Sequence, residues 1–391
     1  MFRAFPGPAR AALVAVAIAI VVTLVDLGGD FDLTNYLRVG EQASARSFVE
    51  ADIPDTALAP GWGHDGQANY VLSRTFPDLR NADGHLDSTT YRARRIVFPA
   101  ITAALPDGGP VVAAFWLINL AAIGLAAAAI ARLAEQHGAS WFAGAAVGLS
   151  PGFLASMIIS LGDALGLGLA VAGVVAWRRP NATRTAIVLF TLAALTRETT
   201  LLIPAAVFLT EGRDRRPSLL IPPAILIAWI GVLELWIGGP GKSAAQFQPP
   251  FVGWIDQGIT STETLVAAIF VLASVMAAQR LTSIDRTLAL IVILDVAVLI
   301  VMDRAVMFDI RNLARVVPWT IPLLVLAVEL AWRSTPQPAA PPQPAAPPQP
   351  AAPPQPTAPP QPTAPPQPTA PPQPTAPPQP ANTHSVVNVT P

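Results

Sequence analysis

Residues 110–133 read Pro-Val-Val-Ala-Ala-Phe-Trp-Leu-Ile-Asn-Leu-Ala-Ala-Ile-Gly-Leu-Ala-Ala-Ala-Ala-Ile-Ala-Arg-Leu, with Arg132 as their one charged residue. A helix of this length crosses the hydrocarbon core of a bilayer, about 30 Å thick, because each residue adds about 1.5 Å. Similar apolar runs recur along the chain. They predict an all-α integral membrane protein of about ten transmembrane helices, at 11–27, 110–133, 141–159, 162–177, 183–196, 199–210, 217–238, 264–279, 287–303 and 314–332.

The composition agrees with a membrane environment. Of the 391 residues, 13% are charged, about half of the quarter that is usual in soluble domains. The net charge of −1 argues against a nucleic-acid partner. The chain has no cysteine, which excludes disulfides, thiolate metal sites and a cysteine nucleophile.

The arginines predict the orientation. Cytoplasmic loops of membrane proteins are enriched in Lys and Arg. With a cytoplasmic N-terminus, every predicted inner segment carries arginine, which favours an inner or plasma membrane protein with both termini in the cytoplasm. The run at 11–27 is interpreted as an uncleaved first helix, because no small-residue cleavage site follows it. The membrane domain is expected to cover 1–334.

Two segments depart from the helical pattern. The polar stretch 28–95 is predicted to be a large first extracytoplasmic loop with amphipathic helices on the membrane surface, such as one at 35–48. The apolar stretch 96–105 is too short to span and suits a re-entrant or interfacial helix. Residues 335–391 form a Pro/Gln/Ala-rich tail, expected to be disordered with polyproline II character. The alternatives are a stiff spacer, a repeat expansion without a specific role, and a ligand for a proline-recognising partner.

The first candidate site is Gly-Trp-Gly-His-Asp-Gly-Gln-Ala-Asn-Tyr at 61–70. Glycines near Asp65 allow a tight turn that presents its carboxylate. Trp62 and Tyr70 offer flat surfaces for a sugar ring. The alternative is an ordinary Asp-Gly turn in a polar loop.

Three further candidates lie on the same predicted outer face. Arg92, Arg94 and Arg95 precede an apolar segment at the depth of lipid phosphate. A single guanidinium group can bind two phosphate oxygens in a bidentate manner. Thr-Arg-Glu at 196–198 places an ion pair between apolar segments. Asp163 opens a helix. Each candidate has a structural alternative: unspecific headgroup contacts for the three arginines, a structural ion pair for Arg197 and Glu198, and a helix cap for Asp163.

Together these groups suit transfer from a phosphate-linked lipid. A carboxylate can deprotonate an incoming hydroxyl as general base. Arginines can stabilise a phosphate that leaves as an anion.

The sequence resembles the GT-C superfamily of membrane glycosyltransferases, particularly bacterial members related to protein mannosyltransferases and to cell-surface glycopolymer formation proteins. The resemblance is carried by His-Asp-Gly-Gln at 64–67 with Tyr70, Tyr-Arg-x-x-Arg-Ile-x-x-Pro at 91–99, and Leu-Thr-Arg-Glu-Thr at 195–199. It covers about residues 10–333. It implies transfer of a sugar, with mannose as one candidate, from a polyprenyl-phosphate-linked donor to a cell-envelope glycan, lipid or protein acceptor.

The resemblance also implies roles for residues. Asp65 matches the catalytic base, with Asp32 left as an alternative nearer the first helix. Residues that match donor-phosphate and substrate binding are Arg92, Arg95, Arg197, Glu198, Gln67, Tyr70 and Asp163. Relatives commonly have an aromatic residue where this chain has His64, so the sugar preference is expected to differ. No cofactor is required, although a divalent cation such as Mg²⁺ or Ca²⁺ remains compatible.

Two other functions fit parts of the sequence. A lipid-linked glycan flippase or transporter would place ionisable residues near the bilayer midplane, where Glu234 is one candidate. A non-enzymatic membrane scaffold would use the tail as its working part. Substrate flux in protein-containing vesicles would distinguish the transporter from the glycosyltransferase. Deletion of the tail would distinguish the scaffold from both.

Overall fold

The computed structural model describes residues 5–29, 31–212, 214–238, 247–258, 260–307 and 310–334, and helices dominate this part of the chain. The predicted tail lies outside the described residues. The helices are α1 (Gly7–Leu27), α2 (Arg46–Asp52), α3 (Asp65–Thr75), α4 (Thr89–Arg92), α5 (Val97–Thr102), α6 (Gly109–Gln136), α7 (Phe142–Ala145), α8 (Pro151–Ile158), α9 (Asp163–Trp177), α10 (Thr183–Thr196), α11 (Leu202–Thr210), α12 (Ile221–Trp236), α13 (Val252–Gln257), α14 (Thr262–Leu281), α15 (Arg286–Val301), α16 (Arg304–Met307), α17 (Ile310–Val316) and α18 (Thr320–Ser334). Two short strands, β1 (Val39–Gly40) and β2 (Leu58–Ala59), pair in parallel.

Helix α6 lies at the centre of the core and packs against α1 and α9. On α1 the buried residues recur every fourth position, at Ala11, Ala15 and Ala19. This small-residue stripe allows close approach of neighbouring backbones. A Cβ added at Gly148 would lie 2.7 Å from the Cα of Ala15. The first apolar run is therefore part of the helical core.

Within the residues that the structure describes, four helical stretches are long and apolar enough to cross a membrane: Gly7–Leu27, Gly109–Gln136, Arg216–Trp236 and Thr262–Leu281. A fifth arises if Ile310–Val316 and Thr320–Arg333, bent by 51°, form one broken span. This is fewer than the ten predicted. Several predicted spans are shorter or interrupted helices. The run 141–159, for example, is divided between α7, a 3₁₀ turn and α8, because the residue before Pro151 takes an extended conformation that ends the helix.

Apolar side chains also cover the outside of the bundle. On α14 one helical face leaves large hydrophobic residues exposed at intervals of three and four positions, namely Leu265, Ile269, Leu272, Val275 and Met276. In water such a surface would be an interaction or aggregation site. In lipid it needs no further partner. The exposed face therefore agrees with the membrane environment indicated by composition.

The loop 28–95 is more structured than predicted. No single helix covers 35–48. A 3₁₀ turn at Leu33–Leu37 ends at Arg38, whose φ of 51° is left-handed, and the chain then enters β1. A left-handed residue cannot continue a right-handed helix. The short apolar helix expected within 96–105 is present as α5.

A buried polar network holds the end of the bundle opposite Asp163. Arg178, at the end of α9, donates to both oxygens of Asp285 at 2.7 and 3.0 Å and to Glu211 at 2.8 Å. Asp285 also contacts His137 Nε2 at 2.9 Å and caps α15. Helix α9, about 22 Å long at about 1.5 Å per residue, separates this network from Asp163.

Candidate active site

Asp65 is the first residue of α3, where the free backbone N–H groups favour a carboxylate. Two glycines make this position possible. Gly63 has a φ of 68°, and a Cβ there would lie 2.2 Å from the carbonyl oxygen of Arg38. A Cβ on Gly66 would lie 2.7 Å from the carbonyl oxygen of Ile159. The helix start is thus pressed against neighbouring backbone, and an ordinary exposed Asp-Gly turn is excluded.

Arg92 and Arg95 approach Asp65 from one side. They lie three positions apart on α4 and the 3₁₀ turn that follows, so they share a face. Arg92 Nη1 donates to Asp65 Oδ1, and Arg95 Nη1 lies 3.8 Å from Asp65 Oδ2. Arg95 also donates to the Tyr91 hydroxyl oxygen at 2.9 Å. The third arginine of the motif, Arg94, lies 3.8 Å from Glu234 instead.

The start of α9 and the 3₁₀ turn that follows α10 supply a second set of charges. Asp163 Oδ1 lies 3.1 Å from Arg197 Nη1. Glu198 accepts from Arg95 at 2.9 and 3.2 Å with its two oxygens. Gly162 lets this segment pack closely, since an added Cβ would lie 2.9 Å from Thr196 Cγ2. The structure therefore brings residues of all three motifs together.

Arg315 on α17 joins the two sets, and the sequence did not single it out. Its Nη2 lies 3.8 Å from Asp65 Oδ2, and its Nε donates to Asp163 Oδ2. The side chain is 7% exposed. The available signal was the predicted topology, which places seven arginines on the outer face against the usual cytoplasmic bias: Arg92, Arg94, Arg95, Arg197, Arg304, Arg311 and Arg315.

These residues line a cavity, here called the arginine cavity, with Asp65, Asp163, Arg92, Arg95, Arg197 and Arg315 among its walls. Its volume is about 20 Å³, enough for about one water molecule. The four guanidinium groups are paired with the carboxylates of Asp65, Asp87, Asp163 and Glu198. The site is therefore electrically balanced and nearly closed.

The arginines control the protonation of Asp65. Burial by itself raises the pKa of this carboxyl. Arg92, followed by Arg315 and Arg95, outweighs burial and holds the pKa well below its usual range. Asp65 is accordingly a carboxylate at neutral pH.

Two more cavities adjoin the arginine cavity. A polar cavity of about 280 Å³ shares Asp65 and Arg92 with it and is also lined by Trp62, His64 and Asp87. An apolar cavity of about 30 Å³ shares Arg197 and Arg315 with it. Its other walls are mostly apolar, including Leu167, Leu202, Ile203, Val298, Val316 and Trp319. The three cavities form a series that runs from the apolar cavity through the arginine cavity to the polar cavity.

Three predicted residues have different surroundings. The Tyr70 hydroxyl donates to Asp52 at 2.9 Å and accepts from the Gly108 N–H, and its ring is fully buried, so it offers no surface to a sugar. Gln67 borders the polar cavity, but its amide binds the backbone of Gly40 and Trp62. Asp32 caps a 3₁₀ turn through the N–H of Thr34 and lines none of the three cavities.

The described residues contain no group of three His, Cys, Asp or Glu side chains arranged to hold a metal ion. The carboxylates of the site pair with arginines instead. A carboxylate that the sequence reasoning overlooked, Asp295, lies within the apolar helix α15 and borders the apolar cavity. Its Oδ2 is buried and has no hydrogen-bond partner among the residues that the structure describes. The signal was a single acid inside an apolar run.

Comparison with known proteins gives no match: no model of a protein family, no curated protein and no solved structure is similar to this chain.

Proposed function

We propose that this protein is a membrane glycosyltransferase that moves a sugar from a polyprenyl-phosphate donor to a hydroxyl of a cell-envelope acceptor. The observation that carries the proposal is the series of three cavities. A polyprenyl-phosphate sugar has an apolar chain and an anionic phosphate in the same order, and its anomeric carbon would lie beside Asp65, where the arginine cavity meets the polar cavity. The phosphate would bind Arg92, Arg95, Arg197 and Arg315. The chain would approach through the apolar cavity, which has a volume of about 30 Å³ and must widen to admit it.

In the proposed reaction Asp65 is the general base. It accepts the proton of the acceptor hydroxyl as that oxygen attacks the anomeric carbon of the donor sugar. The bond between the anomeric carbon and the phosphate oxygen breaks, and the phosphate leaves with the bonding electrons. The arginines stabilise the charge that develops on this leaving group. The products are the new glycoside and a polyprenyl phosphate.

The small volume of the arginine cavity implies an order of events. With room for about one water molecule, it admits a phosphate only if the arginine–carboxylate pairs open. The donor phosphate would replace Asp65 at Arg92. Release from Arg92 would raise the pKa of the Asp65 carboxyl and make it a stronger base. Donor binding would thus activate the base before the acceptor hydroxyl reacts.

The proposal includes ten membrane crossings with both termini in the cytoplasm and the active site outside. Because the chain contains no cysteine, single introduced cysteines report topology without background. We expect Asn81→Cys to react with an impermeant maleimide added to intact cells, and Ser283→Cys to react only after the membrane is permeabilised. The opposite labelling pattern would refute the orientation.

The direct test is sugar transfer in proteoliposomes supplied with labelled polyprenyl-phosphate sugars and cell-envelope acceptor fractions. We expect wild-type protein to transfer at least one sugar, and Asp65→Asn at equal protein level to be slower by about 10²–10⁴-fold, the usual contribution of a general base. Full activity of correctly inserted Asp65→Asn would remove Asp65 from this role. Absence of transfer from every donor would refute the enzyme proposal.

Asp295 favours a second candidate, a lipid-linked glycan transporter. An ionisable group inside an apolar helix is usually functional, and the proposed base chemistry does not use it. A transporter would carry the labelled lipid between leaflets of protein-containing vesicles. Loss of this flux in Asp295→Asn, without sugar transfer in the wild type, would favour the transporter over the enzyme.

A further inference from the structure

The polar cavity presents an exposed aromatic ring beside the proposed base. Trp62 is 73% exposed, and the cavity next to it is lined by His64, His85 and Asp87 as well as Asp65. An indole face exposed at the mouth of a polar cavity is a surface on which the C–H groups of a sugar ring can pack. The imidazole and carboxylate groups can bind hydroxyls.

The backbone that carries Trp62 is held firmly. Gln67 Nε2 donates to the Trp62 carbonyl oxygen at 2.7 Å, and Gln67 Oε1 accepts from the Gly40 N–H at 3.1 Å. The N–H of His64 donates to the Arg38 carbonyl oxygen at 2.9 Å. The exposed indole therefore stands on an ordered loop. A ligand that packs on it does not have to order the loop first.

We propose that the polar cavity binds one pyranose ring of a carbohydrate acceptor, with Trp62 as the stacking platform and His64, His85 and Asp87 as hydroxyl partners. The volume of about 280 Å³ lies at the lower end of the usual range for small-molecule sites, which suits a single ring. The shared wall formed by Asp65 and Arg92 places a hydroxyl of that ring beside the base. This assignment rests on the proposed glycosyltransferase function and narrows the acceptor to a glycan or glycolipid.

The test measures binding rather than transfer, so it is independent of catalysis. Saturation-transfer difference NMR is recorded on the full chain in nanodiscs, because glycoside detergents would compete. The probes are methyl α- and β-glycosides of mannose, glucose, galactose and rhamnose. We expect saturable binding of at least one glycoside, a loss of about tenfold or more in affinity for Trp62→Ala, and partial recovery for Trp62→Phe.

A matched control is Trp332→Ala, since Trp332 is 76% exposed but lies on α18 outside the cavity. It should bind like the wild type. Equal binding by Trp62→Ala, equal losses in both variants, or no saturable glycoside binding would overturn the proposal even if sugar transfer is observed. Conversely, glycoside binding that depends on Trp62, without sugar transfer in the proteoliposome assay, would support the sugar site and refute the enzyme proposal separately.

A second arm separates acceptor from donor. Glycosyl phosphates of the same sugars are added to the bound methyl glycoside. We expect both to bind together, because the phosphate belongs at the arginines and the acceptor ring in the polar cavity. Displacement of the glycoside by the glycosyl phosphate at a single shared site would assign the ring to the donor and overturn the acceptor assignment.

Discussion

Replacing Asp65 by Asn should separate donor binding from catalysis. In the structure Asp65 Oδ2 lies 3.8 Å from both Arg95 Nη1 and Arg315 Nη2, and Asp65 Oδ1 accepts a hydrogen bond from Arg92. A unit charge pair at 3.8 Å is worth about 4 kcal/mol at an effective dielectric constant of about 20 and about 1 kcal/mol in bulk water. A donor phosphate must compete with this carboxylate for the same cations. The Asp65 side chain is 30% exposed, so solvent screens it and we expect an interaction energy in the lower part of this range.

The expected result is that Asp65→Asn binds the donor about tenfold more tightly, which corresponds to about 1.4 kcal/mol, while transfer falls by about 10²–10⁴-fold. Binding of a short-chain polyprenyl-phosphate sugar to protein in nanodiscs measures the first effect, and single-turnover transfer measures the second. Asp83→Asn, at an exposed site of the same loop, is the control. Unchanged or weaker donor binding by Asp65→Asn would refute competition between the carboxylate and the phosphate.

Four further outcomes are expected. Arg315→Gln should weaken donor binding by about 10- to 100-fold, because this arginine contacts both aspartates of the site. Arg304→Gln, at an exposed position, is the control and should leave donor binding unchanged. Equal effects of the two substitutions would contradict the assignment of Arg315 to the phosphate site. Asp32→Asn should keep transfer within about twofold, since this residue only caps a turn, and a loss of transfer would give it the role of base. Asp285→Asn should lower the unfolding temperature by about 5 °C or more, because breaking a buried ion pair costs about 3–5 kcal/mol, and an unchanged temperature in scanning fluorimetry would contradict this. In a pH profile of kcat/KM, the loss of activity on the acid side should occur below about pH 4. The pKa of the Asp65 carboxyl is depressed in the free protein, so the group stays ionised above that pH and loses its charge only as the pH falls further. A loss of activity centred near pH 6 would contradict the role of Asp65 as the base.

The local prediction of helices was accurate where length and hydropathy suffice and failed where the chain is interrupted. The run 110–133 became α6 with little change, because an uninterrupted apolar helix in a membrane satisfies its backbone hydrogen bonds within itself. The run 141–159 broke at Pro151, and 35–48 broke at left-handed Arg38. Such interruptions depend on the backbone torsions of single residues. Hydropathy averaged over a window does not register them.

The sequence by itself determined the helical, apolar character of the chain and the motifs that supply Asp65, Arg92, Arg95, Arg197, Glu198 and Asp163. Composition and the length of apolar runs are properties of contiguous residues, so they can be recognised without knowledge of the fold. Only the tertiary structure showed that Arg315 joins these charges and that Tyr70 and Asp32 do not face them. These outcomes depend on contacts between residues far apart in the chain, such as the 152 positions between Asp163 and Arg315. Packing of the helices, rather than any local pattern, decides which distant side chains meet.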